Sequence, residues 1–267
     1  MTVETSSYDI NGRCHLKING AMVIDGSGEP GTITDVAIES DKITAIGNLE
    51  RWRADKTIDA SGKVLAPGFI DVHTHDDLAV LKSPDMSFKV SQGVTTVIAG
   101  NCGLSLAPFE KGRGFPPPFP IIGNESEFAF PTVADYRHKL EKNPAALNLA
   151  LLAGHSSLRV LVMGESLQRE ATTDEIALMQ AKLRSALHDG CIGLSTGLDY
   201  PPASDSPTEE IIALASVLPE FDNRIYATHM RDEGDQVLEA IEETLTIGRR
   251  ASTAIVISHH KCTGRKK

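Results

Sequence analysis

The chain has 267 residues, 41% of them apolar and 23% charged, enough to bury a sizeable core in one large domain or in one domain with a small satellite. Its formal charge of −10 argues against nucleic acid or an anionic membrane, which would favour clustered Lys and Arg, and leaves a small molecule as the expected partner. No apolar run approaches the roughly 20 residues that span a bilayer, and the opening MTVETSSYDINGR lacks the charged and apolar regions of a secretory signal, so the expected location is cytoplasmic.

From His15 to Ala60 short apolar stretches alternate with Gly-rich and Asp-Gly turns, a pattern that predicts small antiparallel strands. After Gly62 the rhythm changes to strand-like runs separated by longer helix-like segments. Six runs read as strands: residues 65–75, 93–103, 146–155, 191–197, 224–230 and 253–260. Helix starts are legible between them. Ser206, Pro207 and Glu209 suit an N-cap, a first-turn proline and a capping-box acid, and Thr172 with Glu175 repeats the box before a helix closed by Gly190. Val237, Ile241 and Leu245 recur at i, i+4 and i+8, as on a helix lying against a sheet. Strands alternating with helices imply parallel βαβ units. The Pro-, Gly- and Phe-rich stretch 107–131 falls after the second strand and reads as a long loop, either an active-site wall or a tolerated surface insertion.

His73 and His75, two residues apart at a strand end, put both imidazoles on one face with Thr74 on the other, a geometry that can serve one cation. An isolated HxH is weak; here it follows an apolar strand. Cys102 in AGNCG, His229 in ATHMR and His259 with His260 in SHHK end three other strands. Singly, each has a bland account as a small buried residue or a satisfied structural histidine. Converging at one end of a barrel they read as a metal site, with only one of the adjacent His259 and His260 facing it. His15, His138 and His188 read as ordinary surface residues, and His155 is ambiguous. Cys14, Cys102, Cys191 and Cys262 have no CxxC spacing, so neither a disulfide framework nor a zinc ribbon is suggested.

Together the motifs PGFIDVHTHDD, GVTTVIAGNCG, GHSSLR, GLSTGLDYPP, YATHMRDEGD and ISHHKCTG resemble the D-aminoacylase branch of the amidohydrolase superfamily, the N-acyl-D-amino-acid deacylases, from about Gly20 to Gly264. The resemblance implies an α/β fold, a (β/α)8 TIM barrel of which six strands are present, with residues 1–62 the first part of a small β-sandwich and 63–267 the first six βα units. It implies zinc, held by Cys102, His229 and His259, and a second, weaker ion on His73 and His75. It matches Tyr200 and Lys261 to substrate contacts, a phenol for the scissile carbonyl and an ammonium for the carboxylate. The implied reaction is hydrolysis of the amide of an N-acyl-D-amino acid. The family's proton-shuttling aspartate belongs to an eighth strand that is absent here, so no catalytic acid is identified. A cyclic-amide hydrolase of the dihydroorotase or hydantoinase type, and a non-catalytic truncated chain, are the alternatives; oligomeric state is left open.

Overall fold

The protein is described from a computed structural model over residues 12–264; the first eleven residues of the expected β-sandwich segment and the last three of the barrel segment lie outside this range. The chain divides into two compact units, Met1–Gly68 and Phe69–Lys267.

In the first unit, strands β1 (Arg13–Val23), β2 (Thr32–Glu39), β3 (Lys42–Gly47) and β4 (Arg53–Asp59) are ordered β3-β2-β1-β4, and the short β5 (Val64–Leu65) also pairs with β1. The expectation of antiparallel strands holds for β1–β2 and β2–β3, but β4 and β5 run parallel to β1. Alternation reports that a strand has one buried face and says nothing of its neighbour's direction. Here the chain crosses from β3 to the opposite side of β1. The buried Lys17 ammonium of β1 donates to the Leu49 carbonyl at 3.1 Å and the Trp52 carbonyl at 3.3 Å, fastening that crossing. Gly20, at a φ of 67°, marks the bulge where the β1 register shifts.

The second unit holds the six predicted barrel strands in chain order: β6 (Phe69–Asp71), β7 (Val94–Ala99), β8 (Asn148–Gly154), β9 (Gly193–Gly197), β10 (Ile225–His229) and β11 (Ala254–Ile257), all parallel. Between them run α1 (Ala79–Lys82), α2 (Ser87–Val90), α3 (Val133–Lys142), α4 (His155–Met163), α5 (Thr173–His188), α6 (Thr208–Ala215) and α7 (Val237–Ala251). Laid flat, six strands about 4.8 Å apart would set the outermost pair about 24 Å apart. Instead the rings of His73, just past β6, and His259, just past β11, meet at 5.1 Å between centroids. The sheet is therefore curled, an incomplete (β/α)8 barrel whose strand ends converge. Among the described residues β6 and β11 each pair on one side, and Phe69 and Ile70 on β6 are 68% and 59% exposed.

Thr172 caps α5 through the Glu175 amide in a full capping box, and Met179, Leu183, Ala186 and Leu187 form its buried stripe. Two helix expectations are corrected. α6 begins at Thr208 with Pro207 in the cap position, because the Ser206 hydroxyl turns back to the Ala203 carbonyl rather than capping the helix. The buried face of α7 is Val237, Ala240, Thr244, Ile247, Gly248 and Ala251, so Leu245 points outward. Small residues bring this helix close to the sheet: a Cβ at Gly248 would stand 2.6 Å from Ile255 Cγ2. The long 107–131 segment is packed on itself, with Phe109, Phe119 and Phe128 fully buried and ring centroids 4.9–5.6 Å apart.

Candidate metal centre

Cys102 owes its position to glycine. After β7 the chain turns through Gly100 (φ 77°), Cys102 (φ 55°) and Gly103 (φ 75°). A Cβ at Gly100 would lie 2.1 Å from the Leu152 carbonyl of β8, and one at Gly197 of β9 would lie 2.4 Å from the Cys102 carbonyl. Backbone thus packs on backbone across three strand ends. The Gly103 amide donates to Ser195 Oγ at 3.0 Å, the Ser105 amide to Ser157 Oγ at 2.9 Å, and the Asn101 side chain to the Ile98 carbonyl at 2.9 Å. A left-handed, non-glycine residue is costly and persists where its surroundings over-determine it.

Around that thiol the histidines gather. Cys102 Sγ lies 3.3 Å from His73 Nε2 and 3.6 Å from His259 Nε2, and the three donor atoms form one group within 4.8 Å. A second group joins His229, Glu233 and His259, with the His229 and His259 rings 4.4 Å apart. Four of the five expected ligands therefore cluster, with His259 common to both groups. His75 stands apart from both groups, its ring 5.8 Å from that of His73, and lines an open pocket of about 420 Å³ with Leu78, Lys82, Ile122 and Glu127. His260 is exposed.

Glu233 is the group that the motif reading missed. Its carboxylate accepts from His259 Nδ1 at 2.5 Å and from Lys261 Nζ at 2.7 Å, and it stands 3.9 Å from His229 Nε2. Its place four residues beyond His229, in THMRDEGD, is the signal that could have found it. Tyr200 donates its hydroxyl to the Cys102 carbonyl at 2.7 Å and packs edge-on to His229, so both expected substrate contacts already have protein partners. His155 does not join the cluster. It opens α4, fully buried, with Nε2 2.8 Å from Glu210, which also takes a two-pronged bond from Arg159 at 2.6 and 2.8 Å.

The electrostatics suit a soft cation. Burial, with His259 and His75 nearby, brings His73 down to about 4, leaving a neutral imidazole with a free lone pair. Burial also lowers His75 and His229. The same burial pushes the Cys102 thiol up to about 11, so the thiolate forms only against a positive charge. His75 Nδ1 and His229 Nε2 are buried without hydrogen-bond partners. One cysteine and several neutral imidazoles form a borderline-soft donor set that fits zinc.

Fold and site together define an incomplete parallel α/β barrel with a candidate metal centre at its strand ends, and sequence comparison gives the family. The Amidohydrolase family model matches residues 56–254, and the chain belongs to that family. It is 48% identical over 249 residues to a D-aminoacylase of Alcaligenes xylosoxydans xylosoxydans, covering 93% of this chain and 51% of that one. The crystal structure of a D-aminoacylase superposes with a TM-score of 0.90 at 48% identity, covering 94% of this chain and 52% of the other. An N-acyl-D-glutamate deacylase from Bordetella bronchiseptica, solved with zinc and a phosphonate inhibitor, superposes at 0.89 with 41% identity, again covering 94% and 52%. The chain thus spans about half the length of the relatives it matches. Among the described residues no helix is long and apolar enough to cross a membrane.

Proposed function

We propose that this chain carries the zinc centre of a hydrolase that cleaves the amide of N-acyl-D-amino acids into a carboxylate and a free D-amino acid. One observation carries the reading: the Cys102 thiol stands 3.3 Å from His73 Nε2 and 3.6 Å from His259 Nε2. Sulfur at ~2.3 Å and nitrogen at ~2.0–2.1 Å from one tetrahedral zinc are about 3.5 Å apart. We assign Cys102, His73 and His259 to one ion with His229 beside them, Glu233 to the hydrogen bond that orients His259, and His75 to a second, weaker position. When bound, zinc supplies a water of lowered pKa and polarises the amide carbonyl.

The chain's own groups then orient the substrate. Lys261 takes the substrate carboxylate by exchanging it for Glu233, and the Tyr200 hydroxyl turns from the Cys102 carbonyl toward the scissile carbonyl. Glu233 keeps a proton on His259 Nδ1, which leaves Nε2 as the donor. We read residues 1–62 as part of a small β-sandwich and 63–267 as the barrel segment. Four free cysteines fit a reducing, cytoplasmic setting.

The test is zinc stoichiometry by mass spectrometry with release of free amine from N-acetyl-D-methionine, N-acetyl-D-aspartate and N-acetyl-D-glutamate. Zinc with turnover of a D-substrate and not its L-enantiomer is the expected result for a chain holding all it needs. Zinc without turnover limits this chain to the metal half of the site, and folded protein that takes up no zinc sinks the proposal.

A further inference from the structure

We propose that Asp77 is the positioning residue of the cysteine ligand: its carboxylate clamps both ends of the Gly100–Leu106 turn and so holds Cys102 Sγ within ligand reach of His73 and His259. The inference rests on the metal-centre reading above and concerns a side chain that touches neither substrate nor metal.

Asp77 lies two residues past His75 and is fully buried. Its Oδ2 accepts from the Gly100 amide at 3.2 Å, and its Oδ1 accepts from the Leu106 amide at 3.2 Å. One carboxylate thereby ties the first residue of the turn to the last. Cys102 sits between them in the left-handed region at a φ of 55°, where a residue stays only if both flanks are fixed. The other ties to this turn come from neutral partners, Ser157, Ser195, Asn101 and Tyr200. Among the described residues Asp77 is the charged side chain that bonds its backbone. A buried carboxylate is expensive unless bonded, and hydrogen bonds to it are short-range and directional.

The same residue links the turn to the histidine pair. Asp77 belongs to the HTHDD run, so His73, His75 and the clamp of Cys102 are carried by one five-residue stretch. The Tyr136 hydroxyl of α3 donates to the Asp77 carbonyl at 2.6 Å and fixes that stretch from behind. The arrangement couples the spacing of histidine and thiolate: displacement of Asp77 moves both. Asparagine is the discriminating substitution. It keeps the volume, yet its amide nitrogen presents a donor to one of the two amide donors, so one end of the turn is released.

The experiment uses the full chain, freed of metal and titrated with Zn2+ and, in parallel, with Co2+, whose thiolate charge-transfer band reports a cobalt–sulfur bond. Wild type is expected to show that band. Asp77→Asn is expected to bind Zn2+ ten- to a hundredfold more weakly, the range for loss of a group that orients a ligand, with the band weakened. Tyr136→Phe, which loosens the same residue but leaves the carboxylate in place, is expected to keep it. A wild-type chain that binds neither metal defeats the deacylase reading itself. Wild-type affinity and band in folded Asp77→Asn overturn the role of Asp77 alone. Should that variant fail to fold, hydrogen exchange on the wild-type chain decides: the Gly100 and Leu106 amides are expected to be protected together, and fast exchange of either overturns the clamp.

Discussion

Cys102 is held from behind by β8 and β9, whereas His73 and His259 hang from the two edge strands of the same sheet. Around the cysteine, glycine backbones of three strands touch, and the residues from Gly100 to Phe109 are buried. Around the histidines, β6 and β11 each have one neighbour among the described residues, and Phe69, Ile70 and Val72 stand 68%, 59% and 61% exposed. A metal joining Cys102 to His73 and His259 would therefore fasten loose edges to a rigid middle. Without metal the cysteine turn keeps its packing, whereas the two histidine-bearing edges lose a tie.

The strongest test of the rigid middle is its buried ionic cluster. Glu210 on α6 takes bonds from His155 and Arg159 of α4, all fully buried, and Arg159 also donates to the Pro202, Leu167 and Arg169 carbonyls. Burial pushes the Glu210 carboxyl up, but the bond from His155 and the charge and bonds of Arg159 outweigh it and hold it at about 2. Burial lowers His155 itself, against the opposing pull of Glu210. Removing the carboxylate strands a guanidinium, so Glu210→Ala is expected to destabilise the protein by about 3–5 kcal/mol in denaturant unfolding. The sign with pH follows from a lowered acid. Its stabilisation is complete above the ordinary value of 4.5 and is lost as pH falls toward about 2. An unfolding free energy that does not change between pH 5 and pH 3 would contradict this account.

Gly100→Ala attacks the same region at its closest contact. A φ of 77° and a carbonyl 2.1 Å from the new Cβ leave no room for a methyl group. The expected loss is about 2–3 kcal/mol, from overpacking and an unfavourable backbone conformation. Gly62→Ala in the first unit shares a positive φ of 74° but meets nothing within 4 Å. It should cost nearer 1 kcal/mol, the conformational part alone. Equal losses at the two positions would show that the contact with β8 contributes nothing.

The middle of the barrel was also the most legible part of the sequence. GNCG and GLSTG announce their turns through glycine, and all six strands fall within the apolar runs of the sequence. Legibility falls where local pattern and packing partner part company. α7 carries Val237, Ile241 and Leu245 at helical spacing, but of the three only Val237 is buried; the buried stripe runs on through Ala240, Thr244, Ile247 and Gly248, where the missing side chain of Gly248 admits Ile255 of β11. The parallel pairing of β4 with β1 depends on a chain crossing that leaves no periodic mark. Among the site residues, histidine and cysteine are rare enough to be noticed at strand ends. Glu233 and Asp77 are acids in acid-rich runs, and only the fold shows that one faces two histidines and a lysine while the other faces two backbone amides.

Metal removal tests the edges. Chelation is expected to leave amide protection in β8 and β9 unchanged and to lower it in β11 and the first turn after β6, since the bound state is stabilised relative to any state that lacks the site. Acidification should mimic it, because Cys102 and the histidines must lose protons to bind. In the metal-free site burial holds His73 at about 4 and Cys102 at about 11, so zinc has to displace a proton from the thiol and not from His73. Protection lost first in β8 would reverse the comparison.

The smallest effect on stability is expected where exposure is greatest. Phe69 bonds through its backbone amide to the Gly93 carbonyl at 2.9 Å, and its ring lies against Gly93 while remaining largely open to solvent. In the 267-residue chain Phe69→Lys should therefore shift the unfolding free energy by no more than about 0.5 kcal/mol, as for other surface changes. Its effect on association should be larger, because a charge on an unpaired apolar edge opposes strand-to-strand pairing between molecules. Light scattering against concentration reads this directly: the variant is expected to stay monodisperse at concentrations where the parent chain associates. A loss of 2 kcal/mol or more would mean that Phe69 is buried in solution, and the edge of β6 would then be covered by protein rather than open.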